Sequence, residues 1–100
     1  MKNITPTELI KQIKQKKNIQ IIDVREKYEF DDGSISNINI PLDEVIKSID
    51  KIENDKNVVI YCQTGRRACA IINILEIEYN FKNLYCLMGG YKAYIDEKNK

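Results

Sequence analysis

The sequence contains no histidine and no tryptophan, and its 100 residues include only four glycines, two prolines and three cysteines. Without histidine, the chain lacks both the usual base of a Cys–His protease and the commonest zinc ligand, so neither a Cys–His protease nor a histidine-containing metal site can be built. Three cysteines are too few, and odd in number, for a disulfide framework, and none forms a Cys-x-x-Cys pair. We therefore expect the thiols to be reduced.

Long apolar runs and an excess of one charge are also missing. Sixteen basic residues face fifteen acidic ones, a formal net charge of +1, so we expect no general affinity for nucleic acid or an anionic membrane. No apolar stretch reaches the length of a signal peptide or a membrane span, and we expect a cytoplasmic protein. The length suits one domain with one modest core, so residues 1–100 are predicted to form a single domain.

Helix and strand signals alternate along the chain. Thr5, Pro6 and Glu8 have the spacing of a helix N-terminus with a capping box. The β-branched run 19–24 predicts a central strand covered on both faces. Further strands are predicted at 58–62 and 84–88, and further helices at 42–52, 68–79 and 91–98. This order predicts an α/β fold with an open, mainly parallel sheet of about four to five strands flanked by helices.

Cys62 ends a predicted strand and is followed at once by Gln63-Thr64-Gly65-Arg66-Arg67 and a helix. Ligands bind beyond the carboxyl ends of the strands in open parallel sheets. Gly65 allows the loop to curl, so that successive backbone N–H groups and the helix N-terminus face the sulfur. Such a loop favours an anion, and a thiolate or a persulfide is its natural occupant.

Arg66 and Arg67 are two of only three arginines in the chain, and they follow Cys62 by four and five residues. Positive charge favours a cysteine thiolate, and guanidinium groups suit an oxyanion donor such as thiosulfate. The alternative is that Cys62 is a small core residue and the arginines are solvated. Cys69 and Cys86 are predicted to be packing residues, with a Cys62–Cys69 disulfide as the redox alternative.

Four segments, in this order and spacing, resemble the rhodanese family. They are Ile22-Asp23-Val24-Arg25-Glu26 with Glu29-Phe30, Gly33-Ser34-Ile35 leading to Ile38-Asn39-Ile40-Pro41-Leu42, Cys62-Gln63-Thr64-Gly65-Arg66-Arg67-Ala68, and Met88-Gly89-Gly90-Tyr91-Lys92-Ala93-Tyr94. The sequence departs from the family pattern at Ser34, where histidine is usual. The resemblance implies a three-layer rhodanese-like fold and no metal or organic cofactor.

The resemblance also implies the site residues. Cys62 would be the sulfur-accepting nucleophile, and Asp23 and Arg25 would lie beside the loop, Asp23 as a brace and Arg25 as a brace or an anion ligand. The active-site loop would bind the anion or persulfide through Gln63, Thr64, Gly65, Arg66 and Arg67. Related phosphatases place their arginine six positions after the cysteine, where this chain has Ala68, which disfavours a phosphatase.

The predicted function is transfer of sulfane sulfur from thiosulfate or a similar donor to cyanide, a thiol or a protein acceptor, through a persulfide on Cys62. The alternative is a sulfur-carrier or protein-interaction module with little thiosulfate turnover. The pattern favours neither a metal nor a nucleic-acid or membrane partner.

Overall fold

The computed structural model describes residues 1–100 and contains one open sheet of four parallel strands. The strands are β1 (Lys2–Ile4), β2 (Gln20–Asp23), β3 (Val58–Tyr61) and β4 (Leu84–Leu87), in the order β1-β4-β3-β2. The predicted α/β class and parallel sheet are confirmed. β3 is central, and its carboxyl end delivers the chain to Cys62 between two neighbouring strands.

The expectation of a central strand at 19–24 is wrong, because β2 is an edge strand. Its outer side makes only one isolated bridge, from Asp23 to Asn39. The apolar side chains of Ile22 and Val24 pack in one core with residues of the segment 38–52, and each is 1% exposed. An apolar run therefore predicted burial correctly but not position in the sheet.

Four α-helices flank the sheet, α1 (Pro6–Lys14), α2 (Lys27–Asp31), α3 (Arg66–Tyr79) and α4 (Gly90–Lys98). The predicted capping box at α1 is confirmed, since the Glu8 N–H donates to Thr5 Oγ1 at 3.1 Å and the Thr5 N–H donates to Glu8 Oε1 at 2.9 Å. None of the helices combines the length and hydropathy that a bilayer crossing requires.

Alternate side chains of β3 enter two cores, one on each face of the sheet. Val58 and Ile60 pack with α3, whereas Val59 and Tyr61 pack with α1 and α4. All four are fully or almost fully buried, and a buried aliphatic side chain contributes about 1.5–3 kcal/mol. The result is a three-layer arrangement with β3 in the middle, as the resemblance implied.

The predicted helix at 42–52 forms instead as two 3₁₀ segments, Leu42–Glu44 and Ile46–Lys51. Ser48 interrupts the second with φ −115° and ψ 24°. The local bonds run from N–H to the carbonyl three residues earlier, as from Val45 to Leu42 at 3.4 Å. Apolar spacing cannot distinguish this tighter winding from an α-helix. Neither β1 nor the five-residue α2 was predicted from the sequence.

Candidate active site

Cys62 lies just beyond β3 and is 1% exposed. Its Sγ accepts hydrogen bonds from the Gly65 N–H at 3.1 Å and the Ala68 N–H at 3.3 Å. Gly65 has φ +107°, a conformation that side chains resist. The loop thus curls around the sulfur, and two amide dipoles point at it from the start of α3. Groups arranged in this way stabilise negative charge on the sulfur.

The start of α4 holds the other side of this loop through its backbone. The Tyr91 N–H donates to the Cys62 carbonyl at 2.8 Å, and the Lys92 N–H donates to the Gln63 carbonyl at 3.1 Å. Gly90 makes this approach possible, because a Cβ there would lie 2.5 Å from the Cys62 carbonyl oxygen. The sequence analysis used the glycine pair only as part of a segment that resembles the family, and it missed this role.

Asp23 and Arg25 form a buried ion pair beside the loop, with side chains 0% and 2% exposed. Asp23 Oδ1 accepts from the Arg25 backbone N–H at 2.8 Å, and Arg25 Nη2 donates to Asp23 Oδ2 at 2.7 Å. The same guanidinium donates to Gln63 Oε1 at 3.1 Å and to the Gly33 carbonyl at 2.6 Å. Most of its donors are therefore occupied by protein, which favours bracing over anion binding for Arg25.

Aromatic rings complete the surroundings of Arg25. Its guanidinium carbon lies 4.3 Å from the Tyr91 ring centre and 5.7 Å from that of Tyr61. Burial acts to lower the pKa of Arg25, but the hydrogen bonds and charge of Asp23 outweigh it and leave that pKa raised. Burial also raises the pKa of Tyr61 well above its ordinary value, and its hydroxyl accepts the Ile35 N–H at 3.0 Å. Both groups therefore keep their protons at neutral pH.

Arg67 makes a bidentate ion pair with Glu29 of α2. Its Nη1 donates to Glu29 Oε1 at 3.0 Å and its Nη2 donates to Glu29 Oε2 at 3.1 Å. These hydrogen bonds are the main reason that the pKa of Glu29 is lowered and that of Arg67 is raised. The Cys62 sulfur makes a smaller contribution to the raised pKa of Arg67. The two partners are 38 residues apart, so no local spacing signal could have identified Glu29.

Arg66 points to the other side of the loop, is exposed and makes no ion pair. It lines an open cleft of about 450 Å³ in which it is the only charged residue. A second cleft, of about 580 Å³, opens on the Arg67 side and has an acidic rim. That second cleft is lined by Arg25, Tyr28, Glu29, Asp31, Asp32, Gly33, Gln63 and Tyr91. The two adjacent arginines thus face different surroundings.

Cys69 and Cys86 meet each other rather than Cys62. Their Sγ atoms are 2.6 Å apart, with Cys86 1% exposed and Cys69 partly exposed. A Cys62–Cys69 disulfide would require a contact between those two sulfurs, whereas this fold brings Cys69 against Cys86. No group of three or more cysteine or acidic side chains is arranged to ligate a metal ion.

The chain around Ser34 makes its hydrogen bonds without the family's usual histidine. Ser34 Oγ donates to the Ser36 carbonyl at 2.8 Å, and the Ile35 N–H is bound by the Tyr61 hydroxyl. The Gly33 carbonyl meanwhile accepts from Arg25. With serine at position 34, the Ser34 hydroxyl, the Ile35 N–H and the Gly33 carbonyl therefore all have hydrogen-bond partners.

The comparisons with known proteins agree with this fold. The rhodanese-like domain family model matches residues 5–97. The chain is 37% identical over 76 residues to the Bacillus subtilis protein YqhL, covering 75% of this chain and 60% of that protein. It is 28% identical over 88 residues to the thiosulfate sulfurtransferase GlpE of Coxiella burnetii, covering 87% and 78%.

Solved structures give the same result. A rhodanese-related protein from Thermoplasma volcanium superimposes with a TM-score of 0.85 at 32% identity, covering 97% of this chain and 93% of that chain. The chain belongs to the rhodanese-like domain family, and the family supports sulfurtransferase chemistry in general terms.

Proposed function

We propose that this protein is a thiosulfate-type sulfurtransferase that carries sulfane sulfur as a persulfide on Cys62. The observation that carries the proposal is the pair of N–H groups from Gly65 and Ala68 at 3.1 Å and 3.3 Å from Cys62 Sγ. A persulfide also ends in an anionic sulfur, and inward-facing amides suit that charge. The 28% identity to a thiosulfate sulfurtransferase supports the same donor class.

The proposed first step is attack of the Cys62 thiolate on the sulfane sulfur of thiosulfate. A new S–S bond forms on Cys62, the S–S bond of thiosulfate breaks, and sulfite leaves with the electron pair. In the second step cyanide, a small thiol or a protein thiolate attacks the outer sulfur and regenerates the Cys62 thiolate. With cyanide the product is thiocyanate. The two-step scheme predicts ping-pong kinetics.

Charge favours entry of an anionic donor from the Arg66 side. Arg66 is the only charged residue lining its cleft, so its guanidinium is available to a thiosulfate oxygen. The opposite cleft carries Glu29, Asp31 and Asp32, and Arg67 is already paired with Glu29. We assign Arg66 to donor binding and Arg67 to orientation of the loop beside the sulfur, with Thr64 and Gln63 as loop contacts.

We place the reaction in the cytoplasm, because Cys62 reacts as a thiolate and a reducing compartment keeps it so. All three cysteines are free thiols in this structure. We treat residues 1–100 as one functional unit that needs no metal or organic cofactor, and the partners are the sulfur donor and the thiol, cyanide or protein acceptor.

The test is thiosulfate-dependent formation of thiocyanate from cyanide by the wild type and by Cys62→Ser. We expect turnover in the wild type and a loss of at least about a thousandfold in the variant, since the nucleophile is gone. Matching circular dichroism spectra would show that both proteins are folded. Equal turnover in the two proteins would contradict the proposal.

One observation favours a second candidate, a sulfur-carrier module loaded by a partner protein. Cys62 is 1% exposed, so a partner that opens the loop would load it more readily than free thiosulfate does. Absence of thiocyanate turnover, together with persulfide on Cys62 in the isolated protein, would favour the carrier over the enzyme.

A further inference from the structure

Two further cysteines lie behind the Cys62 loop and take no part in the proposed sulfur transfer. Cys69 is on α3 and Cys86 is on β4, yet their Sγ atoms are 2.6 Å apart. Both are free thiols in this structure. A disulfide bond is about 2.05 Å long, so the fold brings the two sulfurs to within a small displacement of bonding distance.

The two thiols differ in access. Cys69 is partly exposed and lines the cleft that also contains Arg66. Cys86 is 1% exposed, and its Sγ is 3.7 Å from the Gly65 carbonyl, to which it donates. Burial, with a further contribution from Cys69, raises the pKa of the Cys86 thiol. A reagent entering the cleft therefore reaches Cys69 first. Cys86 is the buried thiol in contact with it, and can react with it in a second step.

We propose that Cys69 and Cys86 form a redox-active thiol pair that hydrogen peroxide converts to an intramolecular disulfide. The Cys69 thiolate attacks one peroxide oxygen, so that an S–O bond forms and the O–O bond breaks. Hydroxide departs, and Cys69 becomes a sulfenic acid. The Cys86 sulfur then attacks the Cys69 sulfur, and the S–S bond forms as hydroxide departs and takes the Cys86 proton as water. Two thiols are oxidised by two electrons, and one peroxide is reduced to two waters.

The pair is distinct from the sulfur-carrying thiol. Cys62 Sγ is held by the Gly65 and Ala68 N–H groups, whereas the sulfur neighbour of Cys69 is Cys86. Brief disulfides with a sensing role are the kind expected in a reducing compartment. The proposal does not depend on sulfur transfer by Cys62, so either can fail without the other.

Trypsin separates the three cysteines, which makes the test direct. Cleavage after lysine and arginine places Cys62, Cys69 and Cys86 on peptides 57–66, 68–82 and 83–92 respectively. The wild type is treated with dilute hydrogen peroxide, unfolded in iodoacetamide to block free thiols, and digested without reductant. We expect peptide 68–82 linked to 83–92, about 2 Da lighter than the sum of the two thiol peptides, and dithiothreitol should release it.

Three variants complete the design. Cys62→Ser should give the same linked peptide. Cys86→Ser should leave a sulfenic acid on Cys69 that dimedone labels, and Cys69→Ser, at the partly exposed position, should abolish the link without altering the buried core. A link between 57–66 and 68–82 in the wild type would overturn the assignment. So would alkylation of both Cys69 and Cys86 after peroxide has already oxidised Cys62.

Discussion

The two sides of the Cys62 loop are held by different kinds of contact. On the α4 side, two backbone N–H groups donate to two loop carbonyls, and Gly90 allows the close approach. On the opposite side, charged side chains make the contacts: Arg25 donates to the Gln63 amide oxygen, and Glu29 pairs with Arg67. The backbone contacts set where the loop lies, and the ionic contacts set which charges surround the sulfur.

The position of the Cys62 loop and the charges around its sulfur are therefore determined by different residues. A backbone contact of this kind depends on the absence of a side chain, so it is sensitive to any substitution at one glycine. An ionic contact depends on two residues, and its energy depends on how buried they are. Substitutions on the two sides of the loop should therefore lower the unfolding free energy by different amounts. They should also differ in whether that loss depends on pH.

The largest expected effect comes from the buried pair. Asp23→Asn leaves the Arg25 guanidinium, 2% exposed, without its counter-charge, and breaking a buried pair costs about 3–5 kcal/mol. Urea unfolding would measure this loss. The double variant with Arg25→Met removes the orphaned charge and should be at least as stable as Asp23→Asn alone. A loss below about 1 kcal/mol for Asp23→Asn would mean that solvent reaches this pair.

The second largest effect is expected on the α4 side of the loop, where Gly90→Ala tests the backbone contacts. Its new Cβ would lie 2.5 Å from the Cys62 carbonyl oxygen, and we expect a loss of about 2–4 kcal/mol in unfolding free energy. Gly65→Ala is the matched control, because its Cβ meets nothing closer than 3.6 Å. Strain at φ +107° alone should then cost about 1–3 kcal/mol. If Gly65→Ala proves the more damaging, α4 does not clamp the loop as described.

Substitutions at the two adjacent arginines separate an effect on donor binding from an effect on stability. Arg66→Ala should raise the KM for thiosulfate about tenfold, the equivalent of one charge-assisted hydrogen bond, and change stability by less than about 0.5 kcal/mol. Arg67→Ala should lower stability by about 0.5–1 kcal/mol through loss of the Glu29 pair, with its kinetic effect on kcat. Steady-state kinetics and urea unfolding on both variants distinguish them. The opposite pattern would move donor binding to the cleft lined by Glu29, Asp31 and Asp32.

The smallest effect is a pH dependence at Glu29. Its folded pKa lies below the ordinary value of 4.5, chiefly because of Arg67. The ion pair therefore stabilises the fold fully above pH 4.5 and loses its contribution as the pH falls through the lowered folded pKa. Glu29→Gln should cost about 0.5–1 kcal/mol near neutral pH, and the difference from the wild type should shrink toward pH 3. A difference that stays constant would show that packing, and not charge, accounts for it.

Local signals predicted the parts of the molecule that depend on neighbouring residues. The capping box at Thr5, the buried strand 58–62 and the turn of the loop at Gly65 all follow from residues close in sequence. The order of these segments was also sufficient to indicate the rhodanese family. These parts required no knowledge of which strands become neighbours.

Non-local packing determined the rest. Whether the run 19–24 is a central or an edge strand depends on strand order, and whether 42–52 winds as α or 3₁₀ depends on the sheet it covers. The Glu29–Arg67 and Cys69–Cys86 contacts join residues 38 and 17 positions apart. No periodicity connects such residues, so only the folded chain identifies them as partners.

Sulfur transfer through Cys62 is tested by locating the transferred sulfur atom in the protein. The wild type is incubated with thiosulfate, with or without a subsequent addition of cyanide, and digested without reductant. The mass of peptide 57–66, which carries Cys62, is then measured by mass spectrometry for both samples. We expect a gain of about 32 Da, one sulfur atom, on that peptide and its loss with cyanide. Sulfur found on Cys69 or Cys86 instead, with Cys62 unmodified, would contradict the account.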